Sequence, residues 1–412
     1  MNYLGDNSRP ERLTNQQLIK ADNIKRVFDL INGSANMSRA ELTRLTRLSP
    51  TTVSALVDEL LGAQLVVETG TKPMGQSGRR PIRLAINGRS LQIVVFSLDR
   101  WGVNYTLYNL QYEELETHFL PHASDQYGGF DEDALDDSPE AGEVYARLFE
   151  EVLAFHAPRY RPDSVAAVCV SFPGIYLSER DAFSLSSMHA SLSRASMEAF
   201  EARSGAPLFF ANNSMCHAYA EKKWLDRHGE VIRELLYVNV CDGVGAGLVL
   251  HGEMFTGFGS TAGEIGHITV ERGGLKCNCG SRGCLERYVN TDRVVERVLA
   301  ATAADKALTL AEIGAAYEAG DPAVSSVIDE VAGELFTGIH AAVCVTGIKS
   351  IVLGGGIEQL GERFRRKLSS FTEGPSYRPI LRDLRILYTR AGPKSDSLGA
   401  AQYYIDKVFS IN

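Results

Sequence analysis

The 412-residue chain predicts an α+β winged helix-turn-helix over residues 1–88, followed by an α/β body over 89–412. Three observations predict this class. Capped amphipathic segments followed by two strand-like runs fill the first part. Strand-like and helical runs alternate through the rest, the pattern of an α/β architecture. The charge also divides between the parts: residues 1–90 hold 13 Lys/Arg against 8 Asp/Glu, a balance of +5, and the remainder 29 against 43, a balance of −14. A basic head on an acidic body implies that the head meets a polyanion. The length itself exceeds what one core usually organises.

In the head, Ile24, Val27, Phe28 and Ile31 recur at i, i+3, i+4 and i+7, the stripe of an amphipathic helix from Asn23, and Asn32-Gly33 ends it. Ser38 and Glu41 form the S-x-x-E capping box of a second helix. In LSPTTVSALVDELL, Ser49 is the N-cap, Pro50 the first helical residue, and Val53, Leu56, Val57 and Leu60 one buried face. Two short helices joined by a tight turn, with a third before them, follow the helix-turn-helix plan. Thr51, Thr52 and Ser54 lie at the helix end that such proteins point into the major groove, with Arg44 and Arg47 upstream for the phosphate backbone. LVVETG and RPIRLAIN predict a hairpin wing carrying Lys72, Arg79 and Arg80, suited to a narrow, electronegative minor groove. Double-stranded DNA is the expected partner, and a homodimer or tetramer the expected assembly, since winged helices commonly read paired half-sites. The plainer alternative is a three-helix interaction module whose positive charge only solvates it.

Hydrophobic content of 44% and charged content of 23% are those of an ordinary globular protein. No signal-peptide-like start and no stretch of about eighteen apolar residues occurs, so a cytoplasmic location away from membranes is expected. Of the seven cysteines, Cys169, Cys216, Cys241 and Cys344 are scattered and read as small core residues.

In the body, strands are expected within 91–110, 164–174, 206–213, 234–240, 246–255 and 350–356, with helices over 143–156, 214–226, 291–303 and 324–345. The acidic run 131–143 reads as a solvated loop and helix start rather than a metal site. The glycine-rich stretches DGVGAG at 242–247 and LGGGI at 353–357 suit either phosphate-cradling loops or tight turns, and each alone favours the turn. Cys277, Cys279 and Cys284, preceded by His267, are more specific. Three thiolates and an imidazole are the Cys₃His set of tetrahedral zinc, and four protein ligands leave no open position, so the zinc would be structural.

AGEIGHITV followed by CNCGSRGCLE resembles the signature of the ROK family of repressors, open reading frames and sugar kinases. FPG at 172–174, ANNSMCHAYAE at 211–221, DGVGAG, LGGGI and SLGAA at 397–401 extend the resemblance in the family's order, and the head resembles that of its repressor branch. The resemblance implies an actin-like (sugar kinase and Hsp70-type) body of two lobes. Lobe one would span about 89–211 plus 393–412, and lobe two about 212–392, with the zinc loop at 267–286. It also implies a sugar cleft formed by Gly174, Asn212, Asn213, Glu264, His267 and Glu286. Zinc on one nitrogen of His267 would fix its tautomer and leave the other for a hydroxyl.

Two departures from the kinase pattern bear on activity. Asn213 stands where the family's kinases carry the Asp base, and an amide cannot accept that proton. Asp99-Arg100-Trp101-Gly102-Val103 replaces the phosphate turn D-x-G-G-T, so Trp101 and Val103 displace a glycine and a hydroxyl. The expectation is therefore a non-catalytic regulator, a repressor of carbohydrate genes bound to a sugar or sugar-derivative effector. Ala211 also replaces a glutamate of the family pattern, which opens the ligand class beyond hexoses. A kinase with a fused DNA-binding head and a regulator sensing a protein partner are the alternatives.

Overall fold

The computed structural model describes residues 2–3, 15–34, 36–71, 81–99, 101–121, 147, 165–177, 182–185, 190–257, 261–303, 308–373 and 378–411. Lys72, Arg79, Arg80, the acidic run 131–143 and, except for residue 147, the expected helix 143–156 lie outside the described residues.

Three helices open the chain, at Asn15–Gly33, Arg39–Thr46 and Pro50–Gly62. The first begins well before Asn23, because the polar residues ahead of the apolar stripe continue the helix without contributing to its period. The second carries the reciprocal capping box of Ser38 and Glu41. At the third, Ser49 accepts from the Thr52 N–H at 3.1 Å, with Pro50 in the first turn. Strands Val66–Thr71 and Ile82–Ile86 pair antiparallel behind them, and the Leu84 N–H donates to the Met37 carbonyl.

Two sheets organise the body, and they share one topology. The first is ordered Asn2–Tyr3, Leu208–Asn212, Val165–Phe172, Gln92–Asp99, Gly102–Asn109 and Glu114–Pro121; the second Arg385–Tyr388, Ser350–Gly354, Leu235–Val240, Val244–Leu250 and Glu253–Phe255. In each, an antiparallel meander of three strands is extended on its first strand's free edge by parallel strands that arrive later in sequence, and in the first sheet Asn2–Tyr3, from the start of the chain, adds a last parallel pairing. The stretch 246–255, expected as one strand, is a hairpin: His251 and Gly252 take positive φ and form a two-residue turn between paired Leu250 and Glu253, so two strands replace one. Arg385–Tyr388 and Glu114–Pro121 were not expected, being respectively four residues long and largely exposed.

The second lobe's core gathers Leu236, Val238, Ile351 and Leu353 from the sheet with Val331, Leu335 and Ile339 of the long helix Pro322–Thr346. In the first lobe, one sheet face packs on Phe200 and Met197 of helix Arg194–Ser204. The other face is covered by the C-terminal helix Ser395–Ile411, and that apolar cluster continues into Phe28, Ile31, Val57 and Leu60 of the head. Head and first lobe thus share one continuous core.

Candidate functional site

Residues 267–286 fold into a loop on the second lobe. His267 ends a short 3₁₀ turn, Ile265–His267, and β-bridges Thr269–Cys284 and Lys276–Arg282 pin the cysteine segment back on itself. Gly283 is required: its φ is +77°, and a Cβ there would stand 1.6 Å from the Glu271 carbonyl oxygen. The ligand atoms of His267, Cys277, Cys279 and Cys284 all lie within 4.8 Å of one another. His267 Nδ1 is 3.6 Å from Cys277 Sγ, and the Sγ atoms of Cys279 and Cys284 are 3.6 Å apart. With metal–sulfur bonds of about 2.3 Å, the edges of a tetrahedron are roughly 3.8 Å, so the donor set fits one ion. The four residues form a cluster that can hold a metal.

With Nδ1 in the cluster, His267 turns Nε2 towards Glu264, whose Oε2 is 3.7 Å away. Glu286 follows the last cysteine by two residues and accepts from the Val244 N–H at 3.1 Å. Burial raises both carboxyls above the usual range, opposed in each by His267. The sequence-expected trio Glu264, His267 and Glu286 is therefore brought together beside the start of strand Val244–Leu250.

Asn212 and Asn213 begin helix Asn213–Arg227. Asn212 Oδ1 caps it by accepting from the N–H groups of Ser214 and Met215, while Nδ2 donates to the Gly174 carbonyl at 3.0 Å. Gly174 and Asn212 thus meet, but the Asn212 side chain is engaged at both ends in positioning the helix. Strand Val244–Leu250 comes so close to this helix that a Cβ on Gly247 would stand 2.2 Å from the Ser214 carbonyl oxygen, which accounts for a glycine in the DGVGAG stretch. The turn that the stretch alone favoured is the one between paired Val240 and Val244, which contains Asp242 and Gly243; the close packing at Gly247, within the strand, was not expected.

Between the lobes lies a cavity of about 460 Å³. It opens at the carboxyl ends of the parallel strands, the usual ligand position in α/β sheets. Asn213 lines it, as do Asp99 and Trp101 of the first lobe and Asp242 of the second. Four backbone donors around it are taken. Asp99 Oδ1 accepts from the N–H groups of Trp101 at 2.7 Å and Gly102 at 3.0 Å; Asp242 accepts from Gly243, and Glu358 from Gly356. His217 also lines the cavity, half-buried with Nδ1 2.7 Å from Ser395 Oγ, and desolvation there lowers its pKa. Sequence reasoning passed over it because a histidine within a helical run carries no positional signal.

In the head, Arg44, Arg47, Thr51 and Thr52 are exposed and Ser54 half-buried. The hydroxyls of Thr51 and Thr52 lie 2.8 and 2.7 Å from Ser49 Oγ. Among the described residues, Arg44 and Arg47 have no carboxylate partner.

Two α/β lobes of like topology around a polar cleft, with a Cys₃His cluster on the second lobe and three helices ahead, define a protein of the actin-like sugar kinase fold. The chain belongs to the ROK family, whose model matches residues 140–407. It is 25% identical over 407 residues to a xylose repressor of Caldicellulosiruptor bescii, covering 96% of this chain and 98% of that one. It is 27% identical over 360 residues to the DNA-binding transcriptional dual regulator NagC of Escherichia coli, covering 84% of each. Among solved structures, a ROK family transcriptional regulator described as a homologue of E. coli Mlc superposes with a TM-score of 0.76 at 24% identity, covering 96% of this chain and 97% of that one. Among the described residues, no helix is long and apolar enough to cross a membrane.

Proposed function

We propose that this protein is a DNA-binding transcriptional regulator, a repressor of carbohydrate-utilisation genes, controlled by a sugar or sugar derivative in a cleft that does not phosphorylate it. The observation that carries the reading is the head. A capped helix, Pro50–Gly62, exposes Thr51 and Thr52 at its N-terminus near Arg44 and Arg47, which have no carboxylate partner among the described residues, and behind them a hairpin pairs. That arrangement supports a winged helix-turn-helix reading, as do the relatives named a xylose repressor and a DNA-binding transcriptional dual regulator. Residues 1–88 are the DNA-reading part, with Arg79 and Arg80 among its DNA-contacting residues, and 89–412 the sensor. Homodimers present paired heads in the cytoplasm, and structural zinc on the Cys₃His cluster holds His267 towards the effector. Glu264 and Glu286 accept effector hydroxyls, a usual means of orienting a sugar. The effector regulates by binding one lobe arrangement better than another.

The decisive measurement is a gel shift on DNA upstream of the protein's own gene. Arg44→Ala with Arg47→Ala is expected to weaken binding about tenfold and lower the salt slope by about 2, because each phosphate contact releases roughly one counterion. Absence of binding by the wild type at low salt overturns the reading.

No kinase activity is expected. Asn213 offers no base, and the amides of the first phosphate turn are already bonded to Asp99. Asn213→Asp is accordingly expected to remain silent with ATP and a hexose panel in a coupled ADP-release assay. Turnover by that variant would refute the blocked-turn account.

A further inference from the structure

A separate apolar cavity of about 240 Å³ lies on the seam between the head and the first lobe. None of its lining residues borders the cleft between the lobes. The head supplies Ala21 and Ile24 of its first helix and Leu60 of its third; the body supplies Leu110, Ala166 and Tyr404, the last from the C-terminal helix. Head and first lobe otherwise pack as one core, and protein interiors are close-packed, so an opening in that core calls for a cause. Small side chains provide it, since Ala21, Ala63 and Ala166 offer single methyl groups along its walls.

Those walls offer little to water or to a sugar. The Tyr404 hydroxyl donates to the Ala166 carbonyl at 3.1 Å. The N–H of Leu65, which also lines the cavity, donates to the Leu60 carbonyl at 3.0 Å, and the Leu65 carbonyl accepts from Asn87. Lys20 and Glu59 are the two charged residues of the lining; both are exposed at the rim, and they pair with each other at 2.8 Å. A charged ligand would have to break that pair, and it would meet a like charge whichever sign it carried. Water is held only where two to four polar partners converge, and apolar cavities that lack them stay dry and take up apolar ligands. A cavity of about 150 Å³ holds benzene, so this one has room for a substituted ring.

We propose that this seam cavity binds an uncharged, apolar small molecule about the size of one aromatic ring, and that the ligand, touching both walls, holds the head against the first lobe. Parting the two would return the ligand's apolar surface to water, so it binds the docked arrangement better than the parted one. The site goes beyond sugar-controlled repression and does not rest on it, because neither the cavity nor its test involves the cleft or DNA.

The test titrates the full-length protein by calorimetry with toluene, and with benzoate and benzylamine as charged counterparts of the same ring. Toluene is expected to saturate with a dissociation constant below about 1 mM. The charged compounds should bind about tenfold more weakly or not at all. Ala63→Leu and Ala166→Leu, which fill the space with added apolar carbon, should each weaken toluene binding about tenfold or more while retaining the wild-type circular dichroism. In the wild-type protein, toluene at about four times its dissociation constant should slow amide exchange in the first helix, Asn15–Gly33, about fivefold, the factor by which mass action disfavours opening. Absence of saturable toluene binding, undiminished binding in either filled variant that folds, or benzoate or benzylamine binding as tightly as toluene would each overturn the proposal. So would toluene binding that leaves exchange in that helix unchanged.

Discussion

Cys279→Ser is expected to lose the metal and destabilise the second lobe by about 3 kcal/mol, a fall of roughly 6–12 °C in melting temperature. Wild-type protein should carry about one zinc per chain by elemental analysis, and the variant close to none. The size follows from what the loop lacks without an ion. Residues 267–286 are held by seven backbone hydrogen bonds among themselves and two β-bridges, with Cys279 itself exposed, so a metal bound by the four ligands would add the ties between His267 and the cysteines. The effect should extend to ligand response. If Nδ1 is a metal ligand, losing the ion frees the His267 ring to turn, and Nε2 no longer faces Glu264 in a fixed tautomer. Calorimetry with any sugar that shifts the wild-type melting curve should then show no binding. Metal-free wild-type protein that melts at the same temperature and binds the same sugar would refute the clamp.

Lys223→Met is expected to cost about 3 kcal/mol, because it strands a buried carboxylate. Asp406 is 3% exposed and has Lys223 Nζ at 2.6 Å, the Tyr219 hydroxyl donating to it, and Lys25 of the first helix 3.9 Å away. This junction ties the head to the body: Lys25 belongs to the first helix, Lys223 to the helix that starts at Asn213, and Asp406 to the C-terminal helix. Asp29 of the first helix lies beside them, its pKa raised by burial and opposed chiefly by Lys223. Thermal melting measures the loss. Adding Asp406→Asn to Lys223→Met should recover part of it, since removing both charges removes the uncompensated one. Additive losses in the double variant would mean that the two side chains do not form a pair. Two of these helices begin at the cavity, where His217 meets Ser395, so they connect the cleft to the head through packed side chains.

Much of the head was legible because its signals are local. A capping box spans four residues, and the Ser38–Glu41 pair closes whatever the rest of the chain does. The same holds for the Pro50 helix start and for the cysteine spacing, where the loop between two ligands is too short to place them elsewhere. The helices of the body were found where apolar residues keep a 3.6-residue period, as in 214–226 and 324–345, and the observed spans differ from these by one to two residues at each end. Short or exposed strands escaped notice, because four residues give period-2 alternation no room to declare itself.

The sequence by itself determined what this protein is built from: a basic three-helix head, an α/β body and one cluster of soft ligands, each dictated by contacts between residues near one another in the chain. Only the tertiary structure decided what surrounds the cleft. That Glu286 accepts from Val244, that Glu221 gathers the Thr389 hydroxyl with the amides of Arg390 and Ala391, and that Asn239 and Ser97 face one cavity depends on pairings between residues tens to more than a hundred positions apart. Such pairings are set by which sheet faces bury together, and no local spacing encodes them. The head's attachment has the same origin, since Phe28 and Val57 share a core with Tyr404, and nothing near Phe28 in sequence announces a partner at the far end of the chain.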